Sequence, residues 1–210
     1  MQKNNQICYV LGTKAQFIKS KFILKYLIDE GYELTILDTG QHRLITKKEL
    51  ELFDNKFSYL NLVKNEKNIS SISLMIVWFL KLIIFKNVSL KNKNIKFCLV
   101  HGDTVSTLIG LIIAKRNKLK TVHIEAGYKS HNWFKPFPEE IIRGIVSRYS
   151  DIVSVDNEEC YANIKNKKNK EFIRLQKNTI HDSVINRLKD IKIQKKNILT
   201  VTVHRTENIY

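Results

Sequence analysis

Asp103 and Glu125 stand 22 residues apart, and each closes a polar cluster that follows directly on a short apolar run. The clusters read His101-Gly102-Asp103-Thr104 and His123-Ile124-Glu125-Ala126-Gly127. A carboxyl at the end of a buried strand can lose its hydration, and a desolvated acid is able to take or give a proton near neutral pH. Gly12-Thr13-Lys14 and Gln41-His42 form two further polar clusters after apolar runs. The glycines at 12, 102 and 127 would let a ligand approach the backbone closely. Taken singly, each cluster is equally an ordinary polar turn. Asp103 could instead cap the following helix, Glu139 could merely answer the dipole of a helix opening after Pro138, and His204 could be a loop residue.

The elements that would carry these residues alternate between short apolar runs and helix-length amphipathic stretches, the pattern of βαβ units with a parallel sheet. Strands are predicted at 7–11, 33–37, 97–100, 121–124 and 152–155. Helices are predicted from residue 14 to about Gly31, at 108–115, at 139–148 and from about Asn157, and the stretch 47–94 reads as mostly helical. In open parallel sheets ligands bind beyond the carboxyl ends of the strands, and all four clusters fall at that edge. The expected fold is α/β, a Rossmann-like parallel sheet flanked by helices over residues 1–175. Residues 176–210 then form an inter-domain segment and the first strand, 197–203, of a second domain. One strand cannot bury both of its faces alone, so the chain reads as interrupted.

Composition narrows the classes. The 210 residues carry 36 Lys and Arg against 20 Asp and Glu, a formal charge of +16. The lysines are dispersed rather than gathered in one stripe, and no nucleic-acid recognition motif accompanies them, so a nucleic-acid partner is not expected. Cys8, Cys98 and Cys160 lack metal-ligand spacing and read as buried thiols of a reducing compartment, and the amino terminus does not read as a signal peptide. The apolar run 73–85 is broken by Lys81 and falls short of the about 20 residues of a membrane span. It reads as a buried or interface helix, with oligomer contact as one use.

Gly12-Thr13-Lys14-Ala15-Gln16-Phe17-Ile18-Lys19 resembles the opening motif of the non-hydrolysing UDP-N-acetylglucosamine 2-epimerases. Val100-His101-Gly102-Asp103-Thr104, His123-Ile124-Glu125-Ala126-Gly127, Pro136-Phe137-Pro138-Glu139-Glu140 with Arg143, and Val203-His204-Arg205-Thr206-Glu207-Asn208 resemble its later motifs, in order and spacing. The resemblance covers nearly the whole chain and implies the first domain of a GT-B architecture, whose active site lies between two Rossmann-like domains. It implies inversion at C2 of a UDP-linked 2-acetamido sugar, by elimination of UDP to a 2-acetamidoglucal and re-addition, without metal or nicotinamide. It implies a UDP-sugar as partner, a cytoplasmic homodimer when complete, and a place in surface polysaccharide synthesis.

By motif position the resemblance makes Asp103, Glu125 and Glu139 the catalytic carboxylates and puts His204 near the leaving diphosphate. Lys14, Lys19, Arg143 and Arg205 become substrate-binding residues, and Gln41 and His42 match a regulatory cleft motif. Some positions depart from the pattern. Lys14 replaces an arginine and loses its bidentate fork, Leu44 lacks the polarity that regulation would use, and Lys177-Asn178-Thr179 lacks a glycine usual before that Asn-Thr pair. Family members are considerably longer, so the 210-residue polypeptide alone is expected to be inactive or very weak. A non-catalytic nucleotide-sugar-binding remnant and a glycosyltransferase of the same architecture are the competing readings.

Overall fold

A computed structural model describes residues 6–42, 53, 57–63, 69, 71–85, 88–90, 94–132, 135–166 and 170–189. Alternation of the apolar residues builds the sheet. In β1 (Gln6–Leu11), Ile7, Tyr9 and Leu11 pack into one buried cluster while Cys8 and Val10 join another. Successive strand residues face opposite ways, so a strand apolar on both faces must be covered on both. The chain continues through α1 (Lys14–Asp29), β2 (Glu33–Asp38), β3 (Phe57–Asn61), α2 (Ile72–Leu80), β4 (Ile95–His101), α3 (Val105–Arg116) and β5 (Lys120–Ile124). It ends its described course with α4 (Glu139–Tyr149), β6 (Ile152–Val155), α5 (Glu158–Ile164), β7 (Glu171–Arg174) and α6 (Ile180–Leu188).

The seven described strands form one parallel sheet in the order β3-β2-β1-β4-β5-β6-β7. The order reverses between β1 and β4, which opens a crevice at the carboxyl ends of those two strands. This is the α/β, Rossmann-like sheet flanked by helices that the sequence pattern implies.

Two strands and one helix exceed the sequence expectation. β3 lies inside the stretch expected to be mostly helical, and four of its five residues are exposed. An edge strand with one partner has no buried run to announce it. β7 is the opposite edge and is again mostly exposed. α6 lies in the segment expected to link two domains and packs on α1, where the Ser183 hydroxyl donates to the Ile18 carbonyl at 2.5 Å. The expected strand 197–203 lies outside the described residues.

α2 extends through a π-helical turn, Lys81–Phe85. Its inner side seats Trp78 and Leu82 in the core, with the Trp78 indole N–H donating to the Thr39 carbonyl at 3.1 Å. Its outer side exposes Ile72, Leu74, Ile76, Val77, Leu80 and Ile84. No described helix is long and apolar enough to cross a membrane. All three cysteines are buried.

Candidate active site

The turn from β1 into α1 is built around one side chain. Thr13 caps α1 by accepting from the Gln16 amide at 3.2 Å, and the Gln16 side-chain oxygen returns the favour to the amides of Thr13 and Gly12. Thr13 and Gln16, three residues apart, thus form a capping box. The Gln16 amide nitrogen then reaches across the crevice to the His101 carbonyl at 2.8 Å and to the hydroxyls of Thr104 and Thr107. Gln16 thereby ties the ends of β1 and β4 together.

The glycines serve the protein's own packing more than a ligand. A methyl group on Gly12 would lie 1.8 Å from the Ser106 hydroxyl oxygen, and one on Gly127 would lie 2.2 Å from the Cys160 carbonyl oxygen. The expected ligand approach at those two positions is therefore corrected: other parts of the chain fill the space. Of these three glycines, Gly102 alone has its Cβ side open to the described residues.

Glu125 is the hub of the site. It sits in a left-handed conformation (φ 60°) just past β5, uncommon for a residue with a side chain. Two backbone bonds, Gly102 N–H to the Ile124 carbonyl and Ala126 N–H to the Ser154 carbonyl, hold that turn. The carboxylate is only 6% exposed. Its Oε2 meets the Lys19 ammonium at 2.7 Å, and its Oε1 accepts the Thr179 hydroxyl at 2.6 Å. The His101 Nε2 lies 3.7 Å from Oε1 and 3.1 Å from the Thr179 oxygen.

Burial pushes the Glu125 carboxyl up, but the facing cations and hydrogen bonds outweigh it and hold the group below its ordinary value. Burial takes the His101 imidazole down to about 4, against the opposing pull of Glu125. At neutral pH His101 is thus uncharged, and Lys19 is the cation that keeps Glu125 ionised. This corrects the expectation that a carboxyl buried here would have its proton affinity raised.

Asp103 does not cap α3; the Thr104 hydroxyl does, accepting from the Thr107 amide at 3.3 Å. Asp103 instead pairs with the Arg143 guanidinium, whose other terminal nitrogen donates to Glu140 at 2.6 Å. Glu140 also accepts from the Ser130 amide at 3.2 Å. Of the two acids opening α4, Glu140 is therefore committed to internal pairing. The half-buried Glu139 has an Oε2 that is sealed from solvent and accepts nothing from the described residues. A buried acceptor left in that state needs an explanation.

Lys14 is exposed at the start of α1. Gln41 is buried, and its side-chain oxygen accepts from the Ser106 hydroxyl at 2.6 Å. His42 is half-buried, and burial lowers its proton affinity. His204, Arg205 and Leu44 lie outside the described residues. Beside Arg143 a cavity of about 390 Å³ opens, lined among others by Lys129, His131, Glu140 and Arg148.

Sequence reasoning gave Thr179 no role beyond its place in the Asn-Thr pair, and left out Asp156. Asp156, at the end of β6, accepts from the Tyr128 hydroxyl at 2.8 Å and the Asn178 amide at 2.7 Å, and burial raises its proton affinity. Both residues depend on the segment before α6 folding back on the sheet, which no local pattern announces.

Comparison with known proteins gives the same picture. A family model described as UDP-N-acetylglucosamine 2-epimerase matches residues 27–210. The UDP-N-acetylglucosamine 2-epimerase of Campylobacter jejuni is 31% identical over 97% of this chain, and that of Salmonella borreze is 29% identical over 97%. The chain spans only 57% of the length of each of these relatives. Among solved structures, the UDP-GlcNAc 2-epimerase from Neisseria meningitidis bound to UDP-GlcNAc superimposes with a TM-score of 0.68 at 26% identity. That match covers 88% of this chain and 50% of the other. With its sheet and strand-end acids in the arrangement described, this chain belongs to the UDP-N-acetylglucosamine 2-epimerase family.

Proposed function

We propose that the chain forms the amino-terminal half of an enzyme that inverts C2 of UDP-N-acetylglucosamine or a related UDP-2-acetamido sugar. The observation that carries this reading is the charge arrangement at the β1/β4/β5 edge: an ionised Glu125 locked to Lys19, beside an Asp103 paired with Arg143. The reaction breaks the C2–H and C1–O bonds, forms a C1=C2 double bond, and releases UDP. Re-addition reverses these changes with the proton delivered to the opposite face. That sequence needs carboxyl groups on both sides of C2 and cationic or N–H donors for the departing diphosphate.

Glu125, Asp103 and Glu139 are the proton-handling acids in this reading. The Glu139 oxygen that accepts nothing from the described residues supports a substrate-facing role, because a sugar hydroxyl or amide would supply a donor there. Lys14, Lys19, Arg143 and Arg205 hold substrate, and His204 stands by the diphosphate. Gln41 and His42 line a regulatory cleft. Residues 1–175 make the first domain, and 176–210 lead into a second Rossmann-like domain. The product feeds surface polysaccharide synthesis in the cytoplasm.

The complete enzyme is a homodimer that joins through α2. Six apolar side chains on its outer face support this, together with an apolar cavity of about 300 Å³ between α2 and α4 that includes Met75, Phe79, Ile141 and Ile145. A helix apolar on every side belongs in an interior.

The test is epimerisation in D₂O. The 210-residue chain alone is expected to show little or no deuterium incorporation at C2 of UDP-N-acetylglucosamine. Supplied with a polypeptide corresponding to the remaining half of its relatives, it should incorporate deuterium with inversion. No exchange in the joined protein, or full turnover by the chain alone, contradicts the proposal.

A further inference from the structure

Thr179 occupies the residue before α6, where a threonine ordinarily turns its hydroxyl onto its own helix. Here it does not: no side-chain bond from Thr179 caps α6. Asn178 takes over part of that task, its side-chain oxygen accepting from the Ile180 amide at 3.0 Å. The Asn178 amide nitrogen meanwhile donates to Asp156 at 2.7 Å. Thr179 is thus released toward the strand ends, where it is 7% exposed. Its hydroxyl stands between Glu125 Oε1, at 2.6 Å, and His101 Nε2, at 3.1 Å.

A hydroxyl has one proton to give and lone pairs to receive. Glu125 as a carboxylate can only accept, so the Thr179 proton is committed to it. The only bond left between Thr179 and His101 is one in which the imidazole donates. We propose that Thr179 is a positioning residue that locks His101 as the Nε2–H tautomer and fixes the Glu125 carboxylate in one orientation for proton transfer. Lys19 holds the other oxygen, so both ends of the carboxylate are pinned from different parts of the chain. Because Thr179 belongs to the segment that docks through Ser183 on α1, the docking of that segment and the aim of Glu125 become one event.

The lock rests on the reading of Glu125 as a reacting carboxylate, and the two are tested separately. In the 210-residue chain labelled with ¹⁵N-histidine, two-bond ¹H–¹⁵N spectra at neutral pH should show His101 neutral and protonated at Nε2. Thr179→Val keeps the shape and removes the hydroxyl. It should speed exchange of that ring proton with water about tenfold or more, as one protecting bond is lost. Thr179→Ser should restore the slow exchange. An Nδ1–H tautomer in the unsubstituted chain overturns the lock, and so does a valine variant with unchanged exchange. The first of these readings requires no variant to fold. Glu125→Gln in the joined protein tests the other half: loss of C2 exchange is expected, and retained turnover removes the catalytic consequence of the lock even where the tautomer is as stated.

Discussion

Replacing Lys19 with methionine keeps the aliphatic stem and removes the ammonium that faces Glu125. At a separation of 2.7 Å the bare attraction is ~6 kcal/mol with an effective dielectric constant of ~20, an upper bound. The lysine side chain is 31% exposed, and the carboxylate side chain 7%. Water therefore screens one partner, while the other is left buried without its counter-charge. Removing one member of a fully buried pair costs about 3–5 kcal/mol, and the partial exposure of Lys19 brings the expected loss to about 1–3 kcal/mol at pH 7.

The pH dependence identifies the cause. In the parent chain the Glu125 carboxyl lies below its ordinary 4.5, so its stabilising contribution is fully present above that pH and fades as pH falls through the folded value. Without Lys19 the carboxyl loses one of the groups that hold it down against burial and moves up, so the charged form is less stabilised near neutrality. The difference between parent and K19M should be largest near pH 7 and shrink below about pH 4.5, as protonation neutralises Glu125. Urea unfolding at about pH 7 and about pH 4 measures it. An equal difference at both pH values, or none near pH 7, refutes the electrostatic argument.

His101, at about 4 in the folded chain against 6.5 ordinarily, binds its proton more readily once unfolded. Stability should therefore fall as pH drops from about 6.5 to about 4, by up to ~3 kcal/mol, and H101Q should flatten that slope in urea melts. Gly12→Ala drives a methyl group into Ser106 and Thr39, so thermal unfolding should report a loss of about 1–3 kcal/mol or more. Val77→Glu puts a charge on the exposed face of α2, where Val77 is 63% exposed. It should leave the melting temperature nearly unchanged and weaken self-association in sedimentation velocity, whereas an unaltered dimer would move the interface elsewhere.

Much of the fold was legible because buried parallel strands are unbroken apolar runs that end in polar turns. β1, β2, β4, β5 and β6 all announced themselves in that way. β3 and β7 were not, because edge strands bury little and carry no comparable pattern. The placement of Asp103 and Glu125 at the ends of β4 and β5 followed from their positions after strands. Their electrostatics did not. Glu125 is set by Lys19, 106 residues away in sequence, and by Thr179, 54 residues away. Contacts across such separations depend on how the completed fold brings segments together, and no local window contains both partners.

The Gln16 side chain spans two loops that have no covalent connection near the site. Its oxygen secures the amides of Gly12 and Thr13, and its nitrogen secures the carbonyl of His101. Neither loop can swing outward without breaking bonds in the other. Hydrogen exchange at the Gly12 and Thr13 amides should therefore track exchange across the start of α3, as one cooperative opening rather than two, and the floor of the crevice behaves as a single rigid plate.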